Sequence, residues 1–167
     1  MLYAAYGSNL HPVRLSLRLP GSRFRGTATI AGWKLLFHKR SPDRSAKCAI
    51  FAGQGSIHVA VYEIDEQEKA VLDGIEGVGS GYSVETLDVP DFGDCFTYIA
   101  ASSHIDDRLR PYSWYKELVL VGCEALAFPH DYVAMIRSIA TIDDPDKQRH
   151  IANMQIAERA RKTTNGT

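Results

Sequence analysis

The chain predicts an α+β fold: a mostly antiparallel, curved or barrel-like sheet with helices packed around it. Strand-like segments come first and helical patterns later, with one short helix near the start, an order that argues for α+β rather than alternating βαβ units. The connections between strands are too short for the crossovers a doubly wound parallel sheet needs. Its 167 residues fit a single domain, and at that size roughly 70% of the unfolded surface can be buried, so a core is expected.

Residues 1–6 are apolar, aromatic and uncharged, which reads as a buried strand. Gly7-Ser8-Asn9 breaks it and leads into a helix with Asn9 or His11 near its cap and Pro12 in its first turn. Pro20-Gly21 ends that helix. Residues 24–39 hold one long strand or two. Strands over 47–52 and 57–64 flank Gly53-Gln54-Gly55-Ser56, a hairpin signal. Asp65 caps a short helix over 66–73, and a glycine-rich segment runs from Gly74 to Gly81. Strands over 82–89 and 95–101 are joined by Pro90-Asp91-Phe92-Gly93-Asp94. Ser113 caps a helix over 114–121 with Gly122 near its end, and Pro129 opens another to about Ile139. Asp143 or Asp144 caps the last helix, with Pro145 in its first turn. Cations near its end suit the helix dipole, and Thr163 to Thr167 should fray.

Hydrophobic content of 45% and charged content of 23% are those of an ordinary globular protein. No apolar stretch approaches 18 residues, which argues against a transmembrane helix. The N-terminus lacks the basic and long apolar regions of a secretory signal. Cys48, Cys95 and Cys123 are odd in number and widely spaced, as suits packed thiols in a reducing cytoplasm.

The net charge of −1 hides an asymmetry. The first fifty residues carry nine Lys/Arg against Asp43, and residues 63–94 carry ten acids against Lys69. The preferred reading is two solvated surfaces, the other being a basic face that draws an anionic ligand. Nucleic-acid binding is set aside, because the basic residues are not interleaved with aromatics or placed on a known motif.

Two places could carry chemistry. A strand end feeding a helix start at Gly7-Ser8-Asn9 aims free N–H groups outward, where they can hold a carboxylate or a developing oxyanion. It is not a phosphate loop, since no Gly-Lys-Ser/Thr comes after it. Glu76 is a single carboxylate beside Ile75 and Val78 and between Gly74 and Gly77. A carboxylate carried into a dry pocket holds its proton more tightly and becomes a usable base near neutral pH. Tyr82 and Tyr115 are candidate hydroxyl donors. The six histidines show no metal-ligand spacing, so no metal and no cofactor are expected. Ser8 lacks a nucleophile-elbow pattern.

Taken in order, these residues resemble the γ-glutamylcyclotransferase-like family. Tyr6-Gly7-Ser8-Asn9-Leu10 is similar to its signature loop. Leu72-Asp73-Gly74-Ile75-Glu76-Gly77-Val78 is similar to the segment carrying its catalytic glutamate, and Ser80-Gly81-Tyr82 to the stretch just after that glutamate. Tyr115-Lys116, Gly122 and Pro129 resemble its helical C-terminal part, so that the likeness spans roughly residues 1–140. Ala60 stands where relatives often have glycine, and the helix after Asp143 has no assigned counterpart.

The resemblance implies a barrel-like sheet with surrounding helices, often in a homodimer. It implies cleavage of a γ-glutamyl amine, amino acid or peptide to 5-oxoproline and a free amine. Glu76 would be the general acid/base, and Tyr6, Gly7, Ser8, Asn9, Leu10, Tyr82 and Tyr115 would bind substrate. The leaving amine stays open, with loops around 40–47, 90–94 and 102–112 as its selectors. The other reading of the same residues is a catalytically silent protein that binds a γ-glutamyl compound, because a fold does not fix a function.

Overall fold

A computed structural model of the chain describes residues 1–164. Its sheet has five strands: β1 (Leu2–Ala5), β2 (Arg23–Arg40), β3 (Ala46–Glu63), β4 (Tyr82–Val89) and β5 (Gly93–Ala100). They lie in the order β2-β3-β1-β5-β4. The β2–β3, β1–β3 and β4–β5 pairs are antiparallel, and β1–β5 is parallel. Helices α1 (Pro12–Ser16), α2 (Glu66–Glu76), α3 (Ser113–Ala125), α4 (His130–Ser138) and α5 (Lys147–Thr164) complete the α+β architecture.

Strand β1 is central and short. Tyr3, Ala4 and Ala5 are buried between β3 and β5, as a strand covered on both faces requires. Its end therefore delivers residues 6–10 into the interior.

The β2–β3 hairpin differs from expectation. Gly53-Gln54-Gly55 does not turn the chain: β3 runs through it, between the pairs Ala31–Ser56 and Trp33–Ala52. Gly32, at φ +82, is the single residue opposite, so the glycines absorb a bulge rather than close a turn. The turn falls at residues 41–45. There Asp43 Oδ1 accepts from Ser45 N–H (3.0 Å) and Ser45 Oγ–H (2.8 Å).

Helix α2 starts as expected, with Asp65 accepting from Glu68 N–H (2.7 Å), but it continues to Glu76. Gly77, at φ 70 and ψ 50, supplies the left-handed cap that ends it. Helix α3 begins at Ser113 with Tyr112 as its cap, and Gly122 lies inside it rather than at its end. A Cβ on Gly122 would stand 2.6 Å from Leu10 Cβ, so close packing, not helix termination, calls for glycine there.

Helix α5 begins at Lys147, later than expected, with Asp146 accepting from Arg149 N–H (3.0 Å). Thr163 and Thr164 are helical rather than frayed, and the rest of the expected frayed end lies outside the described residues. Among the described residues no helix is long and apolar enough to cross a membrane.

The core lies between the sheet and the helices. It includes Ile57, Val59 and Val61 of β3, Leu118 and Val119 of α3 and Ile136 of α4. Full burial of each such side chain contributes about 1.5–3 kcal/mol.

Candidate active site

After β1 the chain makes its own turn, closed by Leu10 N–H on Gly7 O (3.1 Å). Helix α1 begins only at Pro12, and His11 Nδ1 caps it by accepting from Val13 N–H (3.0 Å). The Gly7-Ser8-Asn9 donors thus belong to a tight turn, not to the helix terminus that the sequence suggests. Among the described residues their N–H groups take no backbone partner. A Cβ on Gly7 would lie 3.3 Å from Cys48 Cβ and 3.4 Å from Tyr115 Oη, so the turn sits directly against β3 and α3.

Glu76 reaches the same place from the last turn of α2, not from a glycine loop. Its Oε1 accepts from Asn9 Nδ2 (3.0 Å) and Arg18 Nη1 (3.2 Å). Arg18 also donates to Asn9 Oδ1 (2.9 Å), and Asn9 Nδ2 approaches Tyr3 Oη at 3.3 Å. One carboxylate oxygen is thereby fixed. The other, Oε2, has no partner among the described residues.

Tyrosines wall the rest. Tyr6 Oη–H donates to Tyr98 O (2.5 Å), and Tyr82 Oη–H donates to Cys48 O (2.6 Å). Tyr115 Oη accepts from Cys48 N–H (3.1 Å) and also meets the Cys48 side chain. Burial raises the phenols of Tyr6, Tyr82 and Tyr115 well above their ordinary value, so they stay neutral. Burial also pushes the Cys48 thiol up to about 12, which favours its protonated form at neutral pH.

Together these groups enclose an inner cavity of about 30 Å³ lined by Tyr3, Tyr6, Gly7, Ser8, Asn9, Cys48, Glu76, Tyr82, Tyr98 and Tyr115. It adjoins a vestibule of about 310 Å³ that shares Ser8, Glu76, Tyr82 and Tyr115. Arg14, Arg18, Lys39, Lys47 and Trp114 are part of the vestibule wall. Lys47 is held by Asp43 (2.7 Å) and lies 4.7 Å from the ring centres of Trp114 and Tyr115.

Of the residues singled out in the sequence, Tyr6, Gly7, Ser8, Asn9, Glu76, Tyr82 and Tyr115 meet at this cavity. Leu10 does not: it is fully buried, faces Gly122, and its carbonyl accepts from Tyr62 Oη–H (2.6 Å). The solvated-surface reading of the basic segment needs correction, because four of its nine cations line the vestibule. Residues 41–44 and 104–109 border a neighbouring cleft, whereas Pro90 and Asp91 line a separate one with His58 and Phe128. Tyr3, Cys48, Tyr98, Arg14, Arg18 and Lys39 escape sequence reasoning as site residues. Only the i, i+4 spacing of Arg14 and Arg18 could have signalled a shared face.

A pocket with a few convergent polar groups and one carboxylate has the form of a small-molecule site. The chain belongs to the "Gamma-glutamyl cyclotransferase, AIG2-like" family, whose sequence model matches residues 3–117. It is 28% identical over 150 residues to the γ-glutamylcyclotransferase of Bos taurus, covering 85% of this chain and 80% of that one. A solved γ-glutamyl cyclotransferase structure superposes with a TM-score of 0.81 at 25% identity, over 95% of this chain and 98% of the other. The crystal structure of an uncharacterized Homo sapiens protein gives a TM-score of 0.79 at 26% identity, over 92% and 97%.

Proposed function

We propose that the protein cleaves γ-glutamyl compounds by internal cyclisation, releasing 5-oxoproline and a free amine, with Glu76 as general acid/base. One observation carries the reading: Glu76 lines the cavity beside the Gly7–Asn9 turn with Oε1 fixed by Asn9 and Arg18, while Oε2 has no partner among the described residues.

The γ-glutamyl head lies across the junction of the inner cavity and the vestibule, where Ser8, Glu76, Tyr82 and Tyr115 line both. The N–H groups of Gly7, Ser8 and Asn9 hold its carboxylate or its γ-carbonyl oxygen. Glu76 Oε2 takes a proton from the α-amino group, whose nitrogen forms a C–N bond to the γ-carbonyl carbon. The amide C–N bond to the leaving group then breaks, and Glu76 returns the proton to the departing nitrogen. The attack is intramolecular, so holding the substrate folded supplies much of the acceleration. Tyr82 and Tyr115 shape the cavity and bind the substrate. The reading also carries the expectation of a cytoplasmic homodimer, which sedimentation would check.

The test is 5-oxoproline release from a panel of γ-glutamyl compounds, wild type beside Glu76→Gln. Glutamine can still accept from Asn9 and Arg18, so the fold should survive. Turnover should fall about 100-fold or more, as loss of a general base implies. A folded variant with near-normal turnover would remove Glu76 from the role.

A further inference from the structure

Helix α2 carries Glu76, yet packing fastens it weakly. Leu72 is its one buried residue among those described, while Val71 and Ile75 are exposed. Its last turn contains Gly74, and a glycine inside a helix weakens it. A Cβ at Gly74 would meet nothing within 4 Å, so close packing does not call for the glycine. A turn that buries so little apolar surface opens at small cost unless polar groups hold it.

Among the described residues the side chains of α2, Glu76 apart, hydrogen-bond to the rest of the molecule at two places. Near the start of the helix Glu68 Oε1 accepts from Gly21 N–H (2.6 Å). In the last turn Asp73 Oδ1 accepts from Tyr98 Oη–H (2.7 Å). Glu76 comes one turn after Asp73, so the second tie is the one that governs it.

Tyr98 is a firm anchor. It is buried on β5, its ring meets those of Tyr3 and Phe96 edge-on at 5.7 and 5.9 Å, and its carbonyl accepts from Tyr6 Oη–H. Asp73 is a firm acceptor. Lys69 Nζ donates to both of its oxygens (3.0 and 2.7 Å), and its carbonyl accepts from Gly77 and Val78 N–H. Burial works to raise the Asp73 carboxyl, but hydrogen bonds from Lys69 and Tyr98 outweigh it and hold the group below its ordinary value, so it is ionised at neutral pH.

Asn9 and Arg18 hold only the tip of Glu76. The side-chain torsions of a glutamate let the tip stay bound while the backbone shifts, and Oε2 then swings. Setting that oxygen requires a fixed backbone as well.

We infer that Asp73 is a positioning residue for Glu76: its bond to Tyr98 pins the last turn of α2 to β5 and thereby sets where Glu76 Oε2 stands in the cavity. This rests on the cyclisation reading above.

Turnover and amide hydrogen exchange test it together. Asp73→Ala should lower kcat about 10- to 100-fold, the effect of a displaced catalytic group, with KM within a few-fold. Asp73→Asn keeps an oxygen for Tyr98 and should recover most of the loss. Lys69→Met removes the other partner of Asp73 and should leave kcat near wild type. Tyr98→Phe should lose activity, and adding Asp73→Ala to it should cost little more, because either change removes the same bond. In Asp73→Ala and Tyr98→Phe the amides of residues 74–77 should exchange about 10- to 100-fold faster, the worth of a hydrogen bond to a charged group.

An Asp73→Ala variant with wild-type kcat would overturn the inference, as would fully additive losses in the double variant. If Glu76→Gln is inactive while Asp73→Ala is not, the base stands and the positioning role falls. If wild type releases no 5-oxoproline, cyclisation falls, and exchange alone decides the tie: faster exchange in Asp73→Ala keeps it, and unchanged exchange removes it.

Discussion

Among the described residues Glu76 is the one charged residue lining the inner cavity, where the hydroxyls of Tyr6, Tyr82 and Tyr115 are tied to the backbone. The vestibule is walled by four cations, two of them without an ion pair among the described residues. The difference fits the separate tasks that the proposed reaction gives the two regions. A group that moves a proton works best among fixed dipoles with little water, where nothing need reorganise during reaction. A group that recognises a charged ligand works best as an unsatisfied charge waiting for its partner. Inner variants should therefore act mainly on kcat and outer variants mainly on KM.

Glu76→Gln is the largest test of that division: kcat should fall about 100-fold or more while KM moves by no more than a few-fold. Arg14→Met should do the reverse, raising KM about tenfold with a far smaller change in kcat. Steady-state kinetics on one γ-glutamyl dipeptide reads both. If Arg14→Met lowers kcat as far as Glu76→Gln, cavity and vestibule are one catalytic unit and the comparison fails.

Tyr115→Phe probes the boundary, since Tyr115 lines both spaces. Without its oxygen the buried Cys48 N–H loses its acceptor, a cost of about 1–3 kcal/mol in stability. A hydroxyl at the substrate is lost as well, and kcat should drop about tenfold. Urea unfolding beside kinetics separates the two effects. A stability loss without a kcat loss would make Tyr115 a brace for β3 and nothing more.

How much of this is legible in the sequence depends on which signals are local. The turn at Gly7-Ser8-Asn9 and the isolated Glu76 stand out because glycine and a lone acid in an apolar stretch are local oddities. The β4–β5 hairpin and the late helices are legible for the same reason. Cys48 and Lys39 are not, because each reaches the site through strand register. Cys48 pairs with Phe37, and Lys39 with Lys47, across a hairpin whose turn lies away from the glycines that signal one. The glycines of residues 53–55 mislead because a bulge and a turn ask for the same residue. Arg18 is hidden by its distance of 58 residues from Glu76, which only the fold closes.

The smallest expected effect on turnover belongs to Asp144, which ties α5 to the vestibule wall. Asp144 is buried, and it accepts from Trp114 Nε1 (2.7 Å), Arg149 Nε (2.6 Å), Arg149 Nη2 (2.5 Å) and Asp146 N–H (2.9 Å). The hydrogen bonds from Arg149 above all, with those from Trp114 and Asp146, hold its carboxyl well below the usual carboxylate range. A depressed pKa in the folded state means that this stabilisation is complete above the unfolded value of about 3.9 and is lost as pH falls from there towards the folded one. Asp144→Asn should thus cost about 1–2 kcal/mol near pH 7, a modest figure because Arg149 is itself a third exposed and screened. The gap between wild type and variant in urea midpoint should shrink as pH drops below about 4. Trp114 would lose only its anchor, so KM should rise no more than about threefold. A gap that stays constant with pH would mean that packing, not charge, fastens α5. A kcat loss as large as that of Tyr115→Phe would mean that the vestibule wall takes part in the chemistry, and the division between the two regions would have to be redrawn around Trp114.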